Sequence, residues 1–98
     1  MKPVLLLTAF YETVSNDVRI GASHISLYMA LFQKWGINNF ENPVAFSRHE
    51  IMPMAKIFSR TTYHKCLHDL VERGYLRYIP SFNPFEKSLA FFELSINN

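Results

Sequence analysis

Apolar residues recur along this chain with two different periods. Near the start, Val4, Leu7, Tyr11 and Val14 share one helical stripe, which Leu6 and Phe10 widen. Pro3 suits a first helical turn, where its missing N–H costs nothing. The run Ser15-Asn16-Asp17 closes the element, so residues 1–17 are expected to hold an N-terminal helix. The run is apolar on nearly every side, which makes a strand the competing reading. A second helix is predicted over residues 24–35, with Ser23 as its N-cap and Gly36 as its stop. Ile25, Tyr28, Met29, Phe32 and Trp35 form one apolar face of it, and Leu27 and Leu31 form another. A helix apolar on two faces is either central in a core or shared with a partner.

The segment 37–43, INNFENP, reads as a loop, and Val44 to Phe46 as a short extended piece. Ser47-Arg48-His49-Glu50 is a capping box, in which Ser47 and Glu50 satisfy each other's backbone amides. A short helix follows, with Ile51, Met54, Ala55 and Ile57 as its apolar set and Pro53 distorting or shortening it. Phe58 and Ser59 leave little room for a turn. Ser59 then caps a longer helix that runs to about Arg73 and stops at Gly74. After Gly74 the period becomes extended. YLRYI and SLAFFEL are rich in aromatic and branched residues, and PSFNPFEK joins them with two prolines. Residues 75–94 thus read as a hairpin with a long tip. The expected fold is mostly α with a small β-hairpin, an α+β class, in a single domain over residues 1–98.

Composition sharpens this pattern in one respect. The 98 residues are 49% hydrophobic, with nine Phe and five Tyr, which suits one well-filled core and excludes a disordered chain. The formal charge of +2 is too small to imply nucleic acid by itself. Its distribution is uneven. Between Ser47 and Lys65 lie Arg48, Lys56, Arg60 and Lys65 against Glu50 alone, whereas the signs balance from Met1 to Phe46. Cys66 is the only cysteine, so no internal disulfide forms and a cytoplasmic location is expected. The opening MKPVLLLTAFYE reaches Glu12 too soon for a signal peptide, and no run is long enough to span a bilayer, so no membrane role is expected.

A short helix, a tight turn, a longer helix and a hairpin form a recognisable order. The stretch SRHEIMPMAKIFSRTTYHKCLHDLVERGYLRYI resembles the winged helix-turn-helix of small bacterial DNA-binding proteins. Ser59, Arg60, Thr62, Tyr63, Lys65, Leu67, Leu70, Gly74, Tyr75 and Leu76 fit that family's pattern, and the likeness covers about residues 23–94. More loosely, the whole chain is similar to small winged-helix proteins carried on conjugative transposons of gut bacteria. Pro53, and a hairpin tip with Phe82 and Phe85 where many wings are basic, depart from the pattern.

The resemblance implies a recognition helix at about 59–73 inside the helix-turn-helix of 47–73, with the hairpin of 75–94 as wing. It implies sequence-specific binding of double-stranded DNA, as a transcriptional regulator or mobile-element accessory factor. In that frame Tyr63, Leu67, Leu70 and Val71 face inward. Arg60, Thr61, Thr62, His64, Lys65 and His68 meet base edges or phosphate from the other side. Ser59 and the capped turn carrying Arg48 and His49 offer amides and a positive dipole end to phosphate. Asn83, Lys87 and Ser88 are the wing's candidates. The first helix, with the Leu27/Leu31 face, is the expected homodimer surface.

Other chemistry finds little support. His64 and His68 have metal-compatible spacing, but the residues show no acidic or thiol partner at ligand spacing, so no metal and no cofactor are expected. There is no phosphate loop, nucleophile elbow or placed acidic pair, and no enzymatic activity is expected. Two alternatives stay open: a winged-helix docking module that binds protein and not DNA, and a replication or excision factor.

Overall fold

The computed structural model describes residues 2–83 and 86–93. Phe85 and the expected end of the last strand at Leu94 lie outside the described residues. The chain runs α1 (Lys2–Val14), α2 (Ala22–Ile37), β1 (Val44–Phe46), α3 (Arg48–Ala55), α4 (Arg60–Glu72), β2 (Arg77–Ile79) and β3 (Ser88–Phe91). It is an α+β fold, with four helices and a three-stranded antiparallel sheet ordered β1-β3-β2.

Helix α1 forms as expected, but its inward stripe is rotated. Leu6, Phe10 and Val14 are buried, four residues apart each time, while Val4, Leu5 and Tyr11 face outward. A run apolar all round does not say which face turns in. The choice is made by Phe10, whose ring stacks on Tyr28 at 3.7 Å and meets the edge of Tyr75 at 5.2 Å.

Helix α2 is longer than its pattern suggested at both ends. Its N-cap is Gly21, not Ser23. His24, at the third helical position, accepts the Gly21 N–H on Nδ1 at 3.0 Å, the half of a capping box that Glu or Gln usually supplies. Gly36 is not the stop either. The helix passes through it, and Asn39 and Phe40 (φ 58 and 56) return their amides to Gly36 and Trp35. Leu27 and Leu31 are both 0% exposed. The face expected to be free for a partner is therefore covered by the chain itself. Burial makes each worth about 2–5 kcal/mol against alanine.

The core assembles around this central helix. Tyr28, Leu27, Leu31 and Trp35 meet Val44 and Phe46 of β1, Ile51 and Ala55 of α3, Leu67 and Leu70 of α4, and Ala90 and Phe92 of the last strand region. Trp35 stacks on Phe92 at 4.8 Å. The sheet corrects the expectation of a lone hairpin. β3 is its middle strand, paired to β2 through Tyr78↔Ala90 and to β1 through Val44↔Ala90 and Phe46↔Ser88. Three residues are too few for β1 to show a strand period, so its pairing was invisible in the pattern. Asn42 fastens the same edge, donating to the Phe92 carbonyl at 2.7 Å and accepting its N–H at 3.0 Å. Among the described residues no helix is long and apolar enough to cross a membrane.

Candidate nucleic-acid interface

Helix α3 begins with the predicted capping box. Glu50 N–H donates to Ser47 Oγ at 3.3 Å, and Ser47 N–H donates to Glu50 Oε1 at 3.0 Å. Glu50 does more than cap. Its Oε1 also receives Lys87 Nζ at 3.0 Å and its Oε2 receives Lys34 Nζ at 3.2 Å. Lys87 above all, then the Ser47 amide and Lys34, hold this carboxyl at about 2.

Pro53 lies inside α3. The helix ends two residues later, and Lys56 closes it in the left-handed region (φ 59, ψ 36). Lys56 N–H reaches Pro53 O at 3.2 Å and Ile57 N–H reaches Met52 O at 3.0 Å, a Schellman closure with lysine where glycine is usual. That conformation costs a non-glycine residue roughly 1 kcal/mol. Buried Ile57 pins the turn, which leaves four residues, 56–59, between the two helices.

Helix α4 is capped by Ser59, whose Oγ accepts Thr62 N–H at 3.2 Å. It buries Tyr63, Cys66, Leu67 and Leu70, the three-and-four spacing of one face, with Val71 half-buried beside them. Burial pushes the Cys66 thiol up. Gly74 (φ 81) closes the helix, as expected. The rotation of α4 about its axis is set by a polar contact that periodicity cannot show. Buried His24 lies with Nε2 2.8 Å from Asp69 Oδ2. Because Nδ1 already accepts the Gly21 amide, Nε2 carries the proton and donates. Lys65 Nζ joins the same oxygen at 2.9 Å. His24 first, and Lys65 after it, hold the Asp69 carboxyl at about 2.

The site residues expected from the sequence divide into two sets. Arg60, Thr61, His64, Lys65 and His68 are exposed along the outer face of α4, with Ser59 exposed at its cap and Thr62 half-buried. Arg48, His49, His64, Asn83 and Ser88 open on one groove of about 360 Å³ between the first turn of α3, the N-terminal turns of α4 and the β2–β3 hairpin. His64 belongs to both. Tyr63, Tyr78 and Ser81 line the groove as well and were not anticipated; Tyr63 showed only as an inward position. The missed signal is chemical: tyrosine buries its ring and keeps a polar tip.

Two hairpin candidates are engaged inside the fold. Lys87 holds Glu50, and Ser88 Oγ accepts the Ser81 N–H at 3.2 Å. Asn83 is exposed at the tip, its N–H donating to Ser81 Oγ. Phe82, beside it, is 92% exposed, so it does not fold back under the hairpin.

Charge pairing separates the cations further. Among the Lys and Arg side chains described, Arg19, Lys34, Lys65, Arg73, Arg77 and Lys87 each lie within 4.0 Å of a carboxylate. Arg48, Lys56 and Arg60 have no such partner, and all three fall in the α3–α4 segment. The expectation that no acid lies near His68 at ligand spacing is corrected: ligand atoms of His68, Asp69 and Glu72 come within 4.8 Å of one another. Asp69 is already engaged by His24 and Lys65, and Glu72 pairs loosely with His68 at 3.9 Å.

No family model, no curated protein and no solved structure matches this chain.

Proposed function

We propose that the protein is a winged helix-turn-helix that binds double-stranded DNA. Helix α4 enters the major groove as recognition helix, α3 crosses the backbone, and the β2–β3 hairpin is the wing. Arg60, Thr61, His64 and Lys65 face base edges or phosphate. Arg48, His49 and the amides of the capped α3 turn meet phosphate. Binding is sequence-specific, in a transcriptional regulator or mobile-element accessory factor. The observation that carries this is the placement of unpaired charge: among the described Lys and Arg side chains all but three pair with carboxylates, and the three left open, Arg48, Lys56 and Arg60, lie in one segment. An unpaired cation held beside a helix N-terminus favours an anion partner.

The outer face of α1, with Val4 58% and Leu5 55% exposed, is the proposed contact between two copies. The test of DNA binding is electrophoretic retardation on genomic fragments at low salt. A retarded, sequence-selected fraction is expected, and Arg60→Ala should weaken its binding about tenfold without moving the thermal melt. Absence of any shift at micromolar protein rejects the proposal. A docking module is the second reading, favoured by exposed Phe58 in the interhelical turn and exposed Phe82 at the hairpin tip.

A further inference from the structure

The groove between α3, α4 and the hairpin has a floor that the DNA reading does not explain. Tyr63 is 3% exposed. Its hydroxyl has no hydrogen-bond partner among the described residues, although Arg48 and the Tyr78 hydroxyl are its polar neighbours. Tyr78 differs, since its hydroxyl lies 3.4 Å from Ser88 Oγ. The Tyr63 ring is buried while its hydroxyl opens on the groove, where it can donate to a ligand. Burial pushes the Tyr63 phenol up to about 12, so it stays a proton donor.

The groups around it share one preference. Arg48 is an unpaired guanidinium at the first position of α3, His49 follows it, and His64 flanks Tyr63 edge-to-face at 5.1 Å. Glu86 is the carboxylate on this groove, and it is exposed on the hairpin side. Glu50, close by, is matched by Lys34 and Lys87. Apart from Glu86, the ionisable groups lining the groove are donors, and an oxyanion would match them.

We infer that Tyr63 and Arg48 form a seat for a single phosphate group, a backbone phosphodiester when DNA lies against α4, with the Tyr63 hydroxyl donating to one oxygen and the Arg48 guanidinium to another. The seat rests on the DNA reading for its bearer and on the groove for its chemistry. It makes Tyr63 a positioning residue that fixes the register of α4 on the duplex. Because the hydroxyl has no partner among the described residues and opens on the groove, its removal should leave the melt unchanged.

The experiment compares wild type, Tyr63→Phe and Arg48→Met on a duplex selected from genomic DNA. The same duplex is also prepared with a neutral methylphosphonate at each phosphate in turn. Tyr63→Phe is expected to weaken binding about ten- to a hundredfold, the range of a hydrogen bond to a charged group, with an unchanged melt and an unchanged salt slope. Arg48→Met is expected to weaken it and lower the slope by about 0.9. One methylphosphonate position should weaken wild type more than it weakens Tyr63→Phe, which keeps only the Arg48 contact to that phosphate. If Tyr63→Phe binds like wild type, the seat is wrong while the DNA reading stands. If wild type binds no duplex, inorganic phosphate is titrated at millimolar concentration while the Tyr63 ring signals are followed by NMR. A shift absent in Arg48→Met keeps the seat, with a free phosphate as its occupant. No shift overturns the seat together with the DNA reading.

Discussion

Replacing Arg48, Lys56 and Arg60 by methionine, singly and together, isolates the charge that the fold leaves open. Methionine keeps much of each side chain's length and apolar stem. None of the three cations pairs with a carboxylate, so their loss should leave the melt close to wild type. Each phosphate contact contributes about 0.9 to the slope of log affinity against log salt, so three contacts per protomer contribute about 2.7. Between 50 and 200 mM salt, about 2.7 in slope corresponds to roughly a fortyfold loss of affinity, and each contact by itself to about 3.5-fold. The triple variant should therefore lose most of this salt sensitivity. Fluorescence anisotropy of a labelled duplex, titrated at four salt concentrations, measures the slope directly. Arg77→Met is the control, because Arg77 is held by Glu93 and lies over the Phe91 ring at 4.7 Å. A triple variant with a wild-type slope, or a control that falls as far, refutes the placement of the interface on α3 and α4.

Lys56→Gly should raise stability by up to about 1 kcal/mol in a denaturant melt, since glycine holds φ 59 without strain, and should lower the salt slope by about 0.9. Glu50 and Asp69 both titrate in the folded protein at about 2, below the ordinary carboxyl range. Their contribution is complete above about pH 4.5 and is lost as pH falls toward 2, so melts between pH 5 and 2 should drop, and drop less for Asp69→Asn. Val4→Glu with Leu5→Glu should leave the melt near wild type, both side chains being exposed, and, if two copies meet through α1 as proposed, turn a wild-type dimer into a monomer in analytical ultracentrifugation.

Much of the fold was legible because its signals are local. The capping box at Ser47, the cap at Ser59, the stop at Gly74 and the change of period after it each depend on neighbours within four residues. The outward set on α4 followed from the same spacing. What stayed hidden was long-range or ambiguous. α1 is apolar on too many sides for its sequence to choose a face, and Phe10 settles that only by meeting Tyr28 and Tyr75. The pairing of β1 with β3 joins residues more than forty apart through three positions. His24 reads as a polar residue at a helix start, yet it caps α2 and docks α4 across 45 residues. Lys87 looked like a free cation on a hairpin and is instead committed to Glu50. The groove residues Tyr63 and Tyr78 were hidden by their own rings, which count as core in any hydrophobic pattern.

Glu50 is a junction as well as a cap. One carboxylate ties the start of α3 to α2 through Lys34 and to the hairpin through Lys87. A pull on the hairpin must therefore work against the first turn of α3, and a load on that turn is passed to the hairpin. If a duplex seats here as proposed, contact at one end of the surface is mechanically felt at the other.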